Sequence, residues 1–155
     1  MISVLYVDDE STLLEITRIW LEQTGEFLVS TCASADDALR ILGSRPFDAI
    51  VSDYQMPVMD GIAFLRHLRT AKNPVPFILF TGKGREEVAI AALNSGADFY
   101  LQKGGEPKSQ FAELASKIRQ AVQRRQAEQA LAASEEKYRE LVENINDVIY
   151  TLSPE

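Results

Sequence analysis

The chain opens on MISVLYVDDEST, residues 1–12, and this stretch decides how the rest is read. Val4, Leu5, Tyr6 and Val7 form a short apolar run of strand character. The run stops at two adjacent carboxylates, Asp8 and Asp9, with Glu10 behind them. A buried strand that ends on acids puts negative charge at its carboxyl end, so something at that end must accept the charge.

The same punctuation recurs along the chain. Ser11 to Thr24 carries Leu13, Leu14, Ile16, Thr17, Trp20 and Leu21 at helical spacing and stops at Gly25. Phe27 to Cys32 reads as a second strand, and Ser34 is suited to cap a helix through Ala38, Leu39, Ile41 and Leu42. FDAIVS, residues 47–52, is a third strand ending on Asp53, followed by a helix over Gly61 to Thr70 with Ile62, Leu65 and Leu68 inward. PFILF, residues 76–80, is a fourth strand ending on Thr81-Gly82. An Ala-rich helix covers Arg85 to Asn94, and DFYL, residues 98–101, is a fifth strand ending near Lys103. Strict alternation of continuous apolar strands with amphipathic helices implies an α/β fold, a doubly wound parallel sheet covered on both faces.

In such folds the chemical groups collect outside the carboxyl ends of the strands. Those ends carry Asp8, Asp9, Asp53, Thr81 and Lys103. Taken singly, each is an ordinary cap, turn or solvated loop residue. Taken together, three acids gathered without a counter-charge would raise one another's pKa, whereas a cation among them makes the cluster tolerable. An all-oxygen donor set favours a hard divalent ion such as Mg²⁺. A carboxylate beside Mg²⁺, with a hydroxyl and an ammonium in reach, suits transfer of a phosphoryl group to the carboxylate.

Composition excludes several other classes. The chain has 155 residues, 46% hydrophobic and 25% charged, which fits one globular domain plus an appendage. Cys32 is the only cysteine, so no internal disulfide forms and a reducing, cytoplasmic setting is expected. His67 is the only histidine, which leaves little for a His-rich metal site and reads as a surface helix residue. A net charge of −7 argues against nucleic acid as a partner. The apolar runs are too short to span a membrane, and no basic segment precedes an apolar leader.

The motifs VDDE, SDYQMPVMDG, FTGKG and YLQKGG, spread over residues 1–106, resemble the CheY-like receiver domain of two-component response regulators. The resemblance implies a (βα)5 fold of flavodoxin-like strand order 2-1-3-4-5. It implies that Asp53 accepts a phosphoryl group from a partner histidine kinase or phosphotransfer protein. Asp8, Asp9, Asp53 and the backbone carbonyl of Gln55 would form a site for Mg²⁺ or Mn²⁺, with Asp8 acting mainly through a bound water. Thr81 and Lys103 would contact the phosphoryl oxygens, and Tyr100 stands at the position of the family's switch aromatic. Gln55 and Lys83 flank the approach of water. The chain would not be an enzyme beyond its own phosphorylation and dephosphorylation. Gly104-Gly105 departs from the family, in which a proline follows the lysine.

From Pro107 to about Asn146 no internal proline or glycine occurs, and the composition favours helix. Phe111, Leu114, Ala115, Ile118 and Val122 would pack on the sheet. After a change of phase over 123–129, Leu131, Ser134, Tyr138, Leu141 and Ile145 recur at heptad-like spacing, which points to a coiled-coil homodimer. Residues 147–155 resemble the start of a PAS domain, with DVIYTL as its first strand, and this implies a longer receiver–PAS protein.

Three rivals are weaker. A haloacid-dehalogenase-type phosphatase needs Asp-x-Asp, and here the acids are adjacent. An FMN-binding flavodoxin needs a hydroxyl- and amide-rich phosphate loop, which VDDEST is not. The remaining alternative is a phosphorylation-independent pseudo-receiver acting as a dimerisation or protein-binding module. Its usual mark is loss of a site residue, and the set is complete here.

Overall fold

The computed structural model describes residues 1–82 and 86–152. The chain divides into two units, Met1–Val122 and the stretch from Gln123 onward. The first unit alternates β1 (Ile2–Val7), α1 (Ser11–Gln23), β2 (Phe27–Cys32), α2 (Ala35–Ser44), β3 (Ala49–Ser52), α3 (Gly61–Thr70), β4 (Phe77–Thr81), α4 (Glu86–Asn94) and β5 (Phe99–Gln102). Then α5 runs over Pro107–Leu152. The five strands are parallel in the order β2-β1-β3-β4-β5, as the flavodoxin-like arrangement requires.

Successive strand residues point to opposite faces, which splits the core in two. Val4, Tyr6, Val51, Ile78 and Phe80 pack under Leu14 and Leu21 of α1 and Phe111, Leu114 and Ile118 of α5. Leu5, Val7, Ile50, Phe77 and Leu79 face α2, α3 and α4 through Ala38, Phe64, Leu65 and Ala92. The helices start where local chemistry caps them. Ser34 accepts from the Asp37 amide at 3.1 Å and Asp60 from the Ala63 amide at 2.8 Å. Gly25 turns the chain out of α1 with φ +78. At the amino ends of the strands, Asp48 accepts from the Ser3 amide at 2.8 Å, and Arg69 donates to the carbonyls of Asn73, Val75 and Gly96.

Met56 is buried in the second core and Met59 packs against it, as loop packing would have it, and His67 is exposed on α3. Cys32 packs partly against the same core, and burial pushes its thiol up to about 11. Iodoacetamide labelling of the native protein at pH 8 should therefore run roughly a hundredfold slower than for an ordinary exposed thiol. Mass spectrometry of native and urea-unfolded samples checks this, and equal rates would count against a protected thiol.

One expectation is corrected. DVIYTL does not form a strand: residues 147–152 continue α5. A strand without a neighbour leaves its backbone donors and acceptors unpaired, whereas a helix satisfies its own. No proline or glycine interrupts residues 108–152, so nothing local stops the helix earlier. Along the second unit, Leu131, Tyr138, Leu141, Ile145, Val148 and Ile149 are all more than half exposed, leaving the heptad-spaced stripe uncovered in the single chain. Among the described residues, no helix is long and apolar enough to cross a membrane.

Candidate functional site

The parallel sheet delivers the predicted groups to one edge. Asp8 follows β1 and is fully buried, while Asp9 beside it is exposed. Asp53 follows β3, with its amide bonded to the Val7 carbonyl at 2.9 Å, so the acids after β1 and β3 are held side by side. One carboxylate oxygen from each of Asp8, Asp9 and Asp53 lies within 4.8 Å of the others. Two of these three acids are buried, and an all-oxygen cluster of that kind fits a hard divalent cation.

Thr81 closes β4 and Lys103 follows β5. Their backbones are joined, the Lys103 amide donating to the Thr81 carbonyl at 2.6 Å. The Thr81 hydroxyl lies beside the Asp53 carboxylate and favours its charged form. The Lys103 ammonium donates to Asp8 Oδ2 at 2.6 Å and stands 3.7 Å from Asp53 Oδ1. The lysine expected on a phosphoryl oxygen is thus engaged mainly with Asp8. The peptide after Lys103 is trans, and Gly104 takes φ +116, a conformation open to glycine at little cost.

Burial raises the Asp53 carboxyl above its ordinary 3.8, against the opposing pull of the Lys103 ammonium and the Thr81 hydroxyl. The folded state therefore holds this proton more tightly than the unfolded state. Without divalent cations, the stability contributed by the group is fully present below the unfolded-state value and is lost as pH rises through the folded value. Asp53→Asn removes that loss. Its stability advantage over wild type should grow between about pH 4 and pH 7 in chelator, read by thermal unfolding. An advantage that shrinks with pH would contradict a burial-driven shift.

Tyr100 is half-buried against the second core, and its hydroxyl is buried without a hydrogen-bond partner among the described residues. Gln55 is exposed on the loop after β3. Lys83 lies outside the described residues. Two contributors escaped the sequence reading. Tyr6 was read as part of an apolar run, yet its hydroxyl donates to Asp8 Oδ2 at 3.2 Å. Gly61 was read as the start of a helix and the last residue of SDYQMPVMDG, with no role of its own. Its amide donates to the Tyr54 carbonyl at 2.8 Å, and a Cβ there would collide with the Asp53 carbonyl oxygen. The local signals for Gly61 were its place at the end of SDYQMPVMDG and directly after the capping Asp60.

A five-stranded parallel sheet of order 2-1-3-4-5 with acids, a hydroxyl and a lysine at its carboxyl edge defines a receiver-type signalling domain. The match to the response regulator receiver domain family runs over residues 4–119, and the chain belongs to that family. It is 36% identical over 132 residues to the transcriptional regulatory protein PrrA of Mycobacterium bovis, covering 85% of this chain and 54% of that protein. It is 34% identical over 108 residues to the response regulator SaeR of Staphylococcus aureus, covering 70% of this chain and 46% of that protein. The chain thus spans about half the length of these relatives. Among solved structures, a receiver domain protein from Clostridium thermocellum superposes with a TM-score of 0.73 at 29% identity, covering 82% of this chain and 98% of that one. The receiver domain of a signal transduction histidine kinase from Syntrophus aciditrophicus gives 0.69 at 28% identity, covering 79% and 91%.

Proposed function

We propose that this receiver is a phosphoacceptor in a two-component relay, with Asp53 taking a phosphoryl group from a partner histidine kinase or phosphotransfer protein in a Mg²⁺-dependent step. The observation that carries the reading is the meeting of three carboxylates within 4.8 Å, with Thr81 beside Asp53 and the Lys103 ammonium on Asp8 and 3.7 Å from Asp53. A bound Mg²⁺ held by Asp8, Asp9, Asp53 and the Gln55 carbonyl would neutralise phosphoryl oxygens. An Asp53 carboxylate oxygen attacks phosphorus as the bond to the donor histidine nitrogen breaks. Thr81 turns its hydroxyl to one phosphoryl oxygen, and Lys103 leaves Asp8 for another. Tyr100 follows Thr81 as the switch, and the change reaches α5. The chain turns over no external substrate.

The downstream step is dimerisation through the exposed stripe of the second unit. Leu131, Tyr138, Leu141 and Ile145 present a seam that a second copy would cover. Sedimentation with and without beryllofluoride checks this; a chain that stays monomeric at high concentration in both states would refute it. Continuation of the chain into a PAS or other output domain belongs to the same reading.

Intact mass after incubation with acetyl phosphate and Mg²⁺ tests the acceptor. One added phosphoryl group is expected, absent without metal and absent in Asp53→Asn. No adduct and no beryllofluoride binding, with Mg²⁺ bound, would favour the pseudo-receiver.

A further inference from the structure

Tyr6 stands two residues before Asp8 on β1, and the strand period sends both side chains to the same face. The Tyr6 ring is fully buried in the core under α1 and α5, a cluster otherwise made of aliphatic and phenyl side chains and alanines. A phenol in such surroundings needs a partner for its hydroxyl. It reaches along the strand to Asp8 Oδ2 at 3.2 Å. The same oxygen accepts from Lys103 at 2.6 Å, and Asp8 Oδ1 accepts from the Glu10 amide at 2.9 Å. Thr17, the other buried hydroxyl, lies beside the phenol but makes no hydrogen bond of good geometry among the described residues, so the bond the phenol makes is the one to Asp8.

The two donors on Oδ2 differ in kind. Lys103 sits on a flexible stem at the rim, with 14% of its side chain exposed. Tyr6 is anchored by its ring and cannot follow the lysine outward. We propose that Tyr6 is a positioning residue of the cation site: its hydroxyl fixes the Asp8 carboxylate toward a divalent cation and stays on Oδ2 when Lys103 leaves. This rests on the reading above that Asp8, Asp9 and Asp53 hold Mg²⁺. Groups that orient metal-binding side chains from behind typically govern affinity by about ten- to a hundredfold.

The test is calorimetric titration of Mg²⁺ into the full chain, its Tyr6→Phe variant and a Phe27→Leu control. Phe27 lies in the same core but makes no bond to the site. Tyr6→Phe should melt cooperatively and bind Mg²⁺ about ten- to a hundredfold more weakly, while Phe27→Leu keeps wild-type affinity. The loss on Tyr6→Phe should be larger still in a Lys103→Ala background, where the phenol is the remaining side-chain donor on Oδ2 among the described residues. Undiminished affinity in Tyr6→Phe, an equal loss in Phe27→Leu, or a smaller loss in the Lys103→Ala background would each overturn the assignment. A wild-type chain that binds no Mg²⁺ would overturn the cation site itself, which distinguishes the two failures.

Discussion

Gly61→Ala should cost about 3 kcal/mol or more of stability and stop the phosphoryl transfer proposed for Asp53, although it adds one methyl group. The loop after β3 leaves Asp53, packs Met56 into the second core and returns so that α3 begins against the backbone it just left. The return is held by the Gly61 amide on the Tyr54 carbonyl at 2.8 Å and by the Asp60 cap at 2.8 Å. A Cβ on Gly61 would collide with the Asp53 carbonyl oxygen and lie 2.8 Å from Leu79 Cδ1. Leu79 is fully buried in β4 and cannot swing away, and the carbonyl belongs to Asp53 itself. Either α3 moves out or Asp53 moves, and either change disturbs the site. Gly105→Ala is the contrast, since an added Cβ there meets nothing within 4 Å. Urea unfolding and intact mass after acetyl phosphate treatment measure both effects. Wild-type behaviour of Gly61→Ala in both would show that the contact yields freely.

Asp8→Ala should be comparably severe, at about 3 kcal/mol, the lower end of the cost of breaking a buried charge pair. Asp8 has no solvent exposure and accepts from Tyr6, Glu10 and Lys103. Alanine leaves three donors without their acceptor, one of them charged. The lysine is partly exposed and already 3.7 Å from Asp53, so it can turn toward Asp53 or water. The Tyr6 hydroxyl has no exit to water, because its residue is wholly buried. Asp8→Asn keeps one carbonyl oxygen and should fall between alanine and wild type in stability, while still losing Mg²⁺ affinity. Chemical denaturation in chelator ranks the three, and an alanine variant as stable as wild type would mean that the carboxylate contributes nothing to the metal-free fold.

The parts of this molecule legible in sequence were those written in local patterns. The alternation of apolar runs with helical spacing placed every strand and helix of the first unit to within a few residues. The acids after β1 and β3 stood out because charge directly after a buried strand is conspicuous. The strand order came from family resemblance, because periodicity alone does not rank neighbours in a sheet. What escaped depended on distance in space. Tyr6 looked like core because its ring is core, and only its hydroxyl reaches the site. The closeness of Gly61 to Asp53 is a contact across a loop. DVIYTL misled because Val148, Tyr150 and Leu152 alternate as in a strand, while Leu141, Ile145 and Val148 equally fit a helix. A short run supports both, and the uninterrupted helix-forming segment before it decides the outcome.

The backbone bond from the Lys103 amide to the Thr81 carbonyl makes one mechanical part of two residues that sequence treats as separate. A shift of one strand end therefore carries the backbone of the other, while the two side chains still turn on their own bonds. The glycine pair directly beyond supplies slack, letting the chain toward α5 absorb that stroke or release it. A substitution at position 104 or 105 would then act like a change of spring constant, altering how that shift is passed on while Thr81 and Lys103 themselves stay the same.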